Sequence, residues 1–406
     1  MNFAPRDESS DMAKKQATRA TKNIAFLLYM AGDNDLSDAG LRDIQELCEE
    51  GASEDLYVAV EIDTHGEHTG SIRYEITEAE LVEERRKPRG FRKVIERLSE
   101  QDSGKPATLL SFLKWGLRRY PAKQYVIVIG GHGDGFRHRS RSIALDEFGS
   151  SLDMAEIEHV FNRAGLARKK LGILGFDACL MGLLEIAHHL SPFAKILVGS
   201  QEIEPGDGWP YGEVLKKLKG KKRSDCKMAE RLEQAGRGIA DAYAKHYMKN
   251  EIVDVTQSAI RLSHTTKAME ALSELGIALQ NHIEMMDEKS VVVAQIDRVR
   301  TQTQNFFQAE YVDGIHLAKN LATAKLSPDI VRACKSFQSS LHATIIRNRV
   351  PRKSRKLKNA NGLSIWFPAT TFSFVVNRSK YLEMRGVESH GGWLAFLDEF
   401  FSILRR

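Results

Sequence analysis

The chain has 406 residues, 42% of them apolar and 28% charged, and a formal net charge of +5. This composition can bury a large core and excludes a disordered chain, and so small a positive surplus singles out neither nucleic acid nor a membrane as partner. Four cysteines, Cys48, Cys179, Cys226 and Cys334, are too few for a disulfide scaffold and lack the C-x-x-C spacing of a structural zinc site.

From the N-terminus, residues 1–22 read as a polar, disordered tail. The first apolar run, Ile24–Ala31, has strand length and falls far short of the ~18 apolar residues of a membrane span. It follows a basic stretch but has no small-residue cleavage site, so the expected location is the cytoplasm. Further strands are expected at Leu56–Asp63, Ser71–Ile76, Tyr125–Gly130, Leu171–Phe176 and Lys195–Ser200. Several are continuous apolar runs, the pattern of a parallel sheet covered on both faces. Helical patterns alternate with them at Asp35–Glu50, Thr108–Tyr120, Ser151–Ala164 and Leu180–His189, with Asp35 and Ser151 as candidate N-caps. The alternation predicts an α/β, doubly wound, mostly parallel sheet flanked by helices over residues 23–212.

Residues 213–406 read as mainly helical, with long amphipathic patterns at Lys227–Lys249, His264–Met286, Val291–Gln308, Ser327–Arg347 and Tyr381–Leu404. One late strand, Gly362–Pro368, is expected to return to the sheet. The basic clusters Arg85–Arg92, Lys216–Arg223 and Arg352–Lys358 lack interleaved aromatic residues and read as solvated surface.

Ligands of open α/β sheets bind outside the carboxyl ends of the strands. Tyr125–Gly130 is followed by Gly-His132-Gly133-Asp-Gly, Leu171–Phe176 by Asp177-Ala-Cys179, and Lys195–Ser200 by a loop holding Glu202, Glu204 and Asp207. An imidazole, a thiol and a group of acids thus emerge along one edge. Cys179, placed at a strand-to-helix transition, is expected to have its thiol pKa lowered by the helix N-terminus. The backbone amides of Gly133 and Cys179 are candidate oxyanion donors. A pocket that reads a guanidinium needs a carboxylate at its base. Asp207, between two glycines, suits that place; Asp177 either lines the same pocket or caps the following helix, and Glu202 and Glu204 read as turn residues.

These pieces together resemble the clostripain family of caspase-like cysteine peptidases. The resemblance rests on NIAFLLYMAGDNDL at Asn23–Leu36, VIGGHGDG at Val128–Gly135, GFDACLMG at Gly175–Gly182, SQEIEPGDGWPY at Ser200–Tyr211 and GLSIWFP at Gly362–Pro368. It implies a caspase-like fold, a Cys179–His132 dyad, and cleavage of protein or peptide substrates after Arg, sometimes Lys. The chemistry implied needs no cofactor. Calcium enters only through the resemblance, for the sequence has no EF-hand loop and no metal-ligand set is identified in it. Family members are often secreted and process themselves between the dyad residues. The segment Phe136–Ser150 carries Arg137, Arg139 and Arg141, so these are candidate self-cleavage sites. The expected enzyme is a monomer without nucleic-acid or membrane partners. The competing reading is a non-catalytic module that holds basic peptides. A third reading, a nucleotide site at the glycines near His132, is disfavoured by the lack of a G-x-x-x-x-G-K-[ST] loop and of a G-x-G-x-x-G opening a helix with an acid downstream.

Overall fold

The computed structural model describes residues 19–65, 70–80, 89–137, 143–147, 149–219 and 227–404. In chain order the strands are β1 Lys22–Gly32, β2 Leu56–Thr64, β3 Ile72–Ile76, β4 Arg92–Arg97, β5 Ala122–Gly130, β6 Leu171–Asp177, β7 Ala194–Gly199, β8 Gln257–Arg261, β9 Tyr311–Asp313, β10 Ile345–Arg349 and β11 Ser364–Trp366. The helices are α1 Ser37–Glu50, α2 Pro106–Arg119, α3 Met154–Arg163, α4 Leu184–His189, α5 Tyr211–Lys219, α6 Met228–Lys249, α7 Thr265–Glu284, α8 Lys289–Gln302, α9 Gly314–Thr323, α10 Pro328–Thr344, α11 Thr371–Glu383 and α12 Gly392–Leu404.

Among the described residues, nine strands form one sheet in the order β10-β8-β7-β6-β5-β1-β2-β3-β4. The run β7-β6-β5-β1-β2 is parallel, and antiparallel strands extend it on both sides. β1 shows why the sheet is covered twice. Ala25, Leu27, Tyr29 and Ala31 enter one core together with residues of α2, α3, α7 and α12. Ile24, Phe26, Leu28 and Met30 enter the other, against α1, α5 and α6. A strand alternates faces with period two, so a continuous apolar run serves both layers. From β1 the chain proceeds to β2 on one side and later to β5, β6 and β7 on the other. The order of winding therefore reverses between β1 and β5, which is where an open sheet leaves a crevice.

The division at residue 212 is not a division of the sheet. β8 and β10, from the helical part, pair antiparallel with β7 and with each other. Conversely β11 does not return to the main sheet: it pairs with β9 in a separate two-stranded sheet and touches the core through the Leu183–Ser364 bridge. The helix expected through Arg347 stops at Thr344, where the chain turns into β10. The closing helical pattern is two helices, α11 and α12, separated at Met384–Gly391. The expected caps also differ. Asp153, not Ser151, caps α3, in a capping box with Glu156. Asp35 does not cap α1, whose N-cap is Leu36. No helix among the described residues is long and apolar enough to cross a membrane.

Candidate active site

β5 ends in Gly130, and Gly131 follows at φ +141°. The next turn displays His132. Gly133 lies against the Cys179 backbone: a Cβ there would stand 2.6 Å from the Cys179 carbonyl oxygen and 3.0 Å from its nitrogen. Only glycine lets the two loops approach so closely, and the approach puts both expected oxyanion donors side by side. At Gly135, φ is +72° and a Cβ would strike the Tyr311 hydroxyl at 2.3 Å. That hydroxyl donates to the Asp134 carbonyl at 3.0 Å, which fixes the loop.

β6 ends in Asp177, and Cys179 stands on a turn rather than at a helix start. Leu180 adopts φ +62°, a left-handed conformation that costs an L-residue roughly 1–2 kcal/mol. Two backbone bonds hold it, Leu180 N–H to the Glu202 carbonyl at 3.2 Å and Gly182 N–H to the Ser200 carbonyl at 2.6 Å. Helix α4 begins only at Leu184, so no helix N-terminus faces the thiol. The expected depression of its pKa is thereby overturned. Burial pushes the Cys179 thiol up, and the nearby Asp177, Glu202 and Asp134 carboxylates push it further, against the Glu204 amide that donates to Sγ at 3.2 Å.

His132 Nε2 lies 2.7 Å from Asp35 Oδ1. Asp35 follows β1 and His132 follows β5, so the pair spans the crevice where the winding reverses. Asp35, His132, Cys179, Asp43, Asp177 and Glu204 all line one cleft of 670 Å³.

The recess of that cleft is acidic. Asp177 Oδ2 accepts the Trp209 amide at 3.0 Å and the Tyr211 hydroxyl at 2.7 Å. Its carboxyl also bonds to that of Glu204, which accepts from Trp209 Nε1 and Gln257 Nε2, each at 3.2 Å. Burial raises both acids, and Glu204, repelled by Asp177 and Cys179, is the better proton holder. Burial also lifts Asp43 to about 9, with Asp177 and Glu46 adding to the rise. Gly208, at φ +62°, closes the loop over this group; a Cβ there would meet Asp177 Oδ2 at 2.7 Å.

The acids are therefore not arranged as expected. Asp207 is 62% exposed and pairs with Arg42 at 2.8 Å, outside the lining of the cleft. The chain turns at Gly206–Gly208 and aims that side chain outward. Glu202, fully buried, accepts the Ile203 and Phe307 amides at 3.0 Å each and thus ties loops together. Of the acids singled out in the sequence, Asp177 and Glu204 reach the recess. Asp43 was missed; its signal is an acid on the apolar face of α1, four residues from Ala39 and from Leu47, all three buried. Arg137 lines the cleft, with Nε 2.9 Å from Glu310 Oε1, an ion-pair contact whose N–H is not aimed for a hydrogen bond. Arg139 and Arg141 lie outside the described residues.

A thiol, an imidazole with a carboxylate partner and a buried acidic recess open into one cleft, an arrangement that suits acyl transfer. Comparison with known proteins finds cysteine proteases. One relative is clostripain of Hathewaya histolytica, 31% identical over 140 residues; the match spans 30% of this chain and 25% of that protein. A secreted C11 cysteine protease from Bacteroides thetaiotaomicron, solved with an irreversible peptide inhibitor, superposes with a TM-score of 0.67 at 17% identity, covering 91% of this chain and 98% of that one. An inactive zymogen C11 protease from Parabacteroides distasonis gives a TM-score of 0.65 at 18% identity, covering 92% and 99%. These likenesses establish a caspase-like fold, and a relative described as secreted gives the expected cytoplasmic location no support. The model of the peptidase C11, or clostripain, family matches residues 28–399, and the chain belongs to that family.

Proposed function

We propose that this protein is a cysteine endopeptidase that cuts after arginine or lysine, with Cys179 as nucleophile and His132 as general acid and base. The observation that carries this reading is the opening of Cys179, His132 and the Asp43–Asp177–Glu204 recess into one cleft. His132 takes the Cys179 thiol proton as the sulfur attacks the carbonyl carbon after the basic residue, and the backbone amides of Gly133 and Cys179 receive the oxyanion. His132, held by Asp35, protonates the leaving amine. Water, deprotonated by His132, then releases the acyl group. Asp177 rather than Asp207 supplies the base of the pocket. Its neighbours keep protons while the recess is empty, and an arriving guanidinium favours their ionised forms.

Self-cleavage between the dyad residues belongs to the same proposal. It is supported by Arg137 lining the cleft and by the likeness to a protein described as an inactive zymogen. Arg137 itself is the poorest of the three sites. Phe136 beside it is buried against Tyr311, Trp366 and Tyr381, and this packing keeps the Arg137 peptide bond from extending across the thiol. The cut is therefore assigned to Arg139 or Arg141.

The test is hydrolysis of matched fluorogenic peptides ending in Arg, Lys, Leu or Asp, with intact mass followed in parallel. Turnover of the Arg or Lys peptide alone, lost in Cys179→Ala, is the expected result. Cleavage of the Leu or Asp peptide at a comparable rate would overturn the specificity. Unchanged turnover in Cys179→Ala would overturn the mechanism. An active protein of one uncut mass would remove self-cleavage alone.

A further inference from the structure

A second group of ionisable side chains, Asp33, His65 and Glu147, lies outside the lining of the cleft. Asp33 directly follows β1 and His65 directly follows β2. The two strands are parallel, with Gly32 opposite Thr64, so register alone places the next residues side by side. Glu147 comes from a third segment. Ile143 and Leu152 exchange backbone bonds at 3.1 and 2.8 Å, and Gly149 N–H closes a turn onto the Asp146 carbonyl at 2.9 Å. Asn34 Nδ2 ties that turn to β1 by donating to the Ala31 carbonyl at 3.0 Å and the Leu145 carbonyl at 2.8 Å.

His65 Nδ1 lies 3.2 Å from Asp33 Oδ1 and 2.8 Å from Glu147 Oε2. One ligand atom from each of the three residues falls within 4.8 Å of the others, and among the described residues this is the set of three that does so. Independently, Asp33 is only 2% exposed, and its second carboxylate oxygen is buried with no hydrogen-bond partner. A buried carboxylate oxygen left unmatched is costly, and a cation is one of the few ligands that satisfies it at the side of a second acid. The Asp33 and Glu147 carboxylates thus both face the one ring nitrogen, His65 Nδ1.

We propose that Asp33, His65 and Glu147 bind a divalent transition-metal ion of the zinc class. One nitrogen and two carboxylate oxygens form the mixed donor set of a zinc site with one position left for water, whereas calcium takes oxygen ligands only. Zinc–ligand bonds of about 2.0–2.2 Å need only modest side-chain rotation from the present spacing. Binding displaces the His65 Nδ1 proton and joins three segments that are otherwise linked by hydrogen bonds. One of them reaches Asp35 two residues later, and another is the Ile143–Leu152 turn that closes the segment following His132. The ion would thus brace the His132 side of the cleft without touching the reacting groups. It stands apart from the peptidase reading and does not depend on it.

The experiment uses the full chain carrying Cys179→Ala, so that the thiol cannot join His132 in binding zinc. After removal of metals with EDTA, zinc is titrated calorimetrically and the melting temperature is followed. Cobalt(II) is added separately, and its visible absorption reports tetrahedral nitrogen–oxygen ligation. One zinc per chain, a rise in melting temperature and a cobalt spectrum are expected. His65→Gln and Glu147→Gln, both at exposed positions, should each weaken binding at least tenfold while circular dichroism stays unchanged. Absence of zinc binding by the Cys179→Ala chain would overturn the proposal. So would zinc affinity unaltered by His65→Gln and Glu147→Gln, or binding of calcium in preference to zinc.

Discussion

Asp35 and Glu204 both line the cleft that holds Cys179, yet they live in opposite surroundings. Asp35 is 77% exposed and meets His132 at the rim, where water screens the pair. Glu204 lies in the recess against Asp177, with indole, amide and phenol donors around the two acids. At the rim a carboxylate can be lost at modest cost, because water replaces it. In the recess nothing replaces it, and its charge state depends on what enters. The difference teaches that lining one cleft does not make two carboxylates equivalent; desolvation sets them apart.

Variants sharpen the contrast. Cys179→Ala removes the proposed nucleophile, and hydrolysis should fall by about 10³-fold or more, measured as turnover of an Arg peptide. Asp177→Asn should lose about 2–5 kcal/mol in kcat/KM for that peptide, because the buried carboxylate proposed to meet the substrate cation disappears. The same variant should react faster with iodoacetamide at neutral pH, since Asp177 is among the groups that raise the thiol. Asp207→Ala should stay within about 1 kcal/mol of the parent, as fits an exposed ion pair with Arg42. The reverse ranking of Asp177 and Asp207 would break the comparison.

Asp35→Ala should lower kcat by about tenfold with KM little changed, and Asp35→Glu should recover part of the loss. A rim residue that served only the fold would not separate kcat from KM in this way. The remaining effect is on stability. Burial raises Asp43 to about 9, well above an unfolded aspartate. The folded chain therefore holds a proton that the unfolded chain releases, and this contribution is complete below about pH 4 and is lost progressively as pH rises toward 9. The melting temperature of the parent should fall across that window more steeply than that of Asp43→Asn. Parallel curves would show that Asp43 ionises without penalty.

What could be read from the sequence follows the locality of each signal. The core strands β1, β5, β6 and β7 each hold a continuous apolar run, the pattern that burial on both faces of a parallel sheet favours. The positions of His132 and Cys179 follow directly, because residues after parallel strands emerge at one edge. By contrast β8, β9 and β10 are three to five residues long and acquire strand geometry only from their partners. Side-chain direction in the acidic loop was equally hidden. Glu204 and Asp207 are three residues apart in one turn, yet one faces Asp177 and the other faces solvent and Arg42. Composition there announces acids; the positive φ of Gly208 decides which of them are buried.

The sequence by itself determined the α/β sheet, the edge on which thiol and imidazole stand, and the family, because each is written in contiguous residues. Tertiary structure alone decided the rest. It brought Asp43 from α1 into the recess, set Asp35 against His132 across the crevice between β1 and β5, left Cys179 on a strained turn without a helix dipole, and turned Asp207 away. Each of these depends on residues dozens of positions apart meeting in a low-dielectric interior, and no local periodicity encodes which of two neighbouring carboxyls will lose its water.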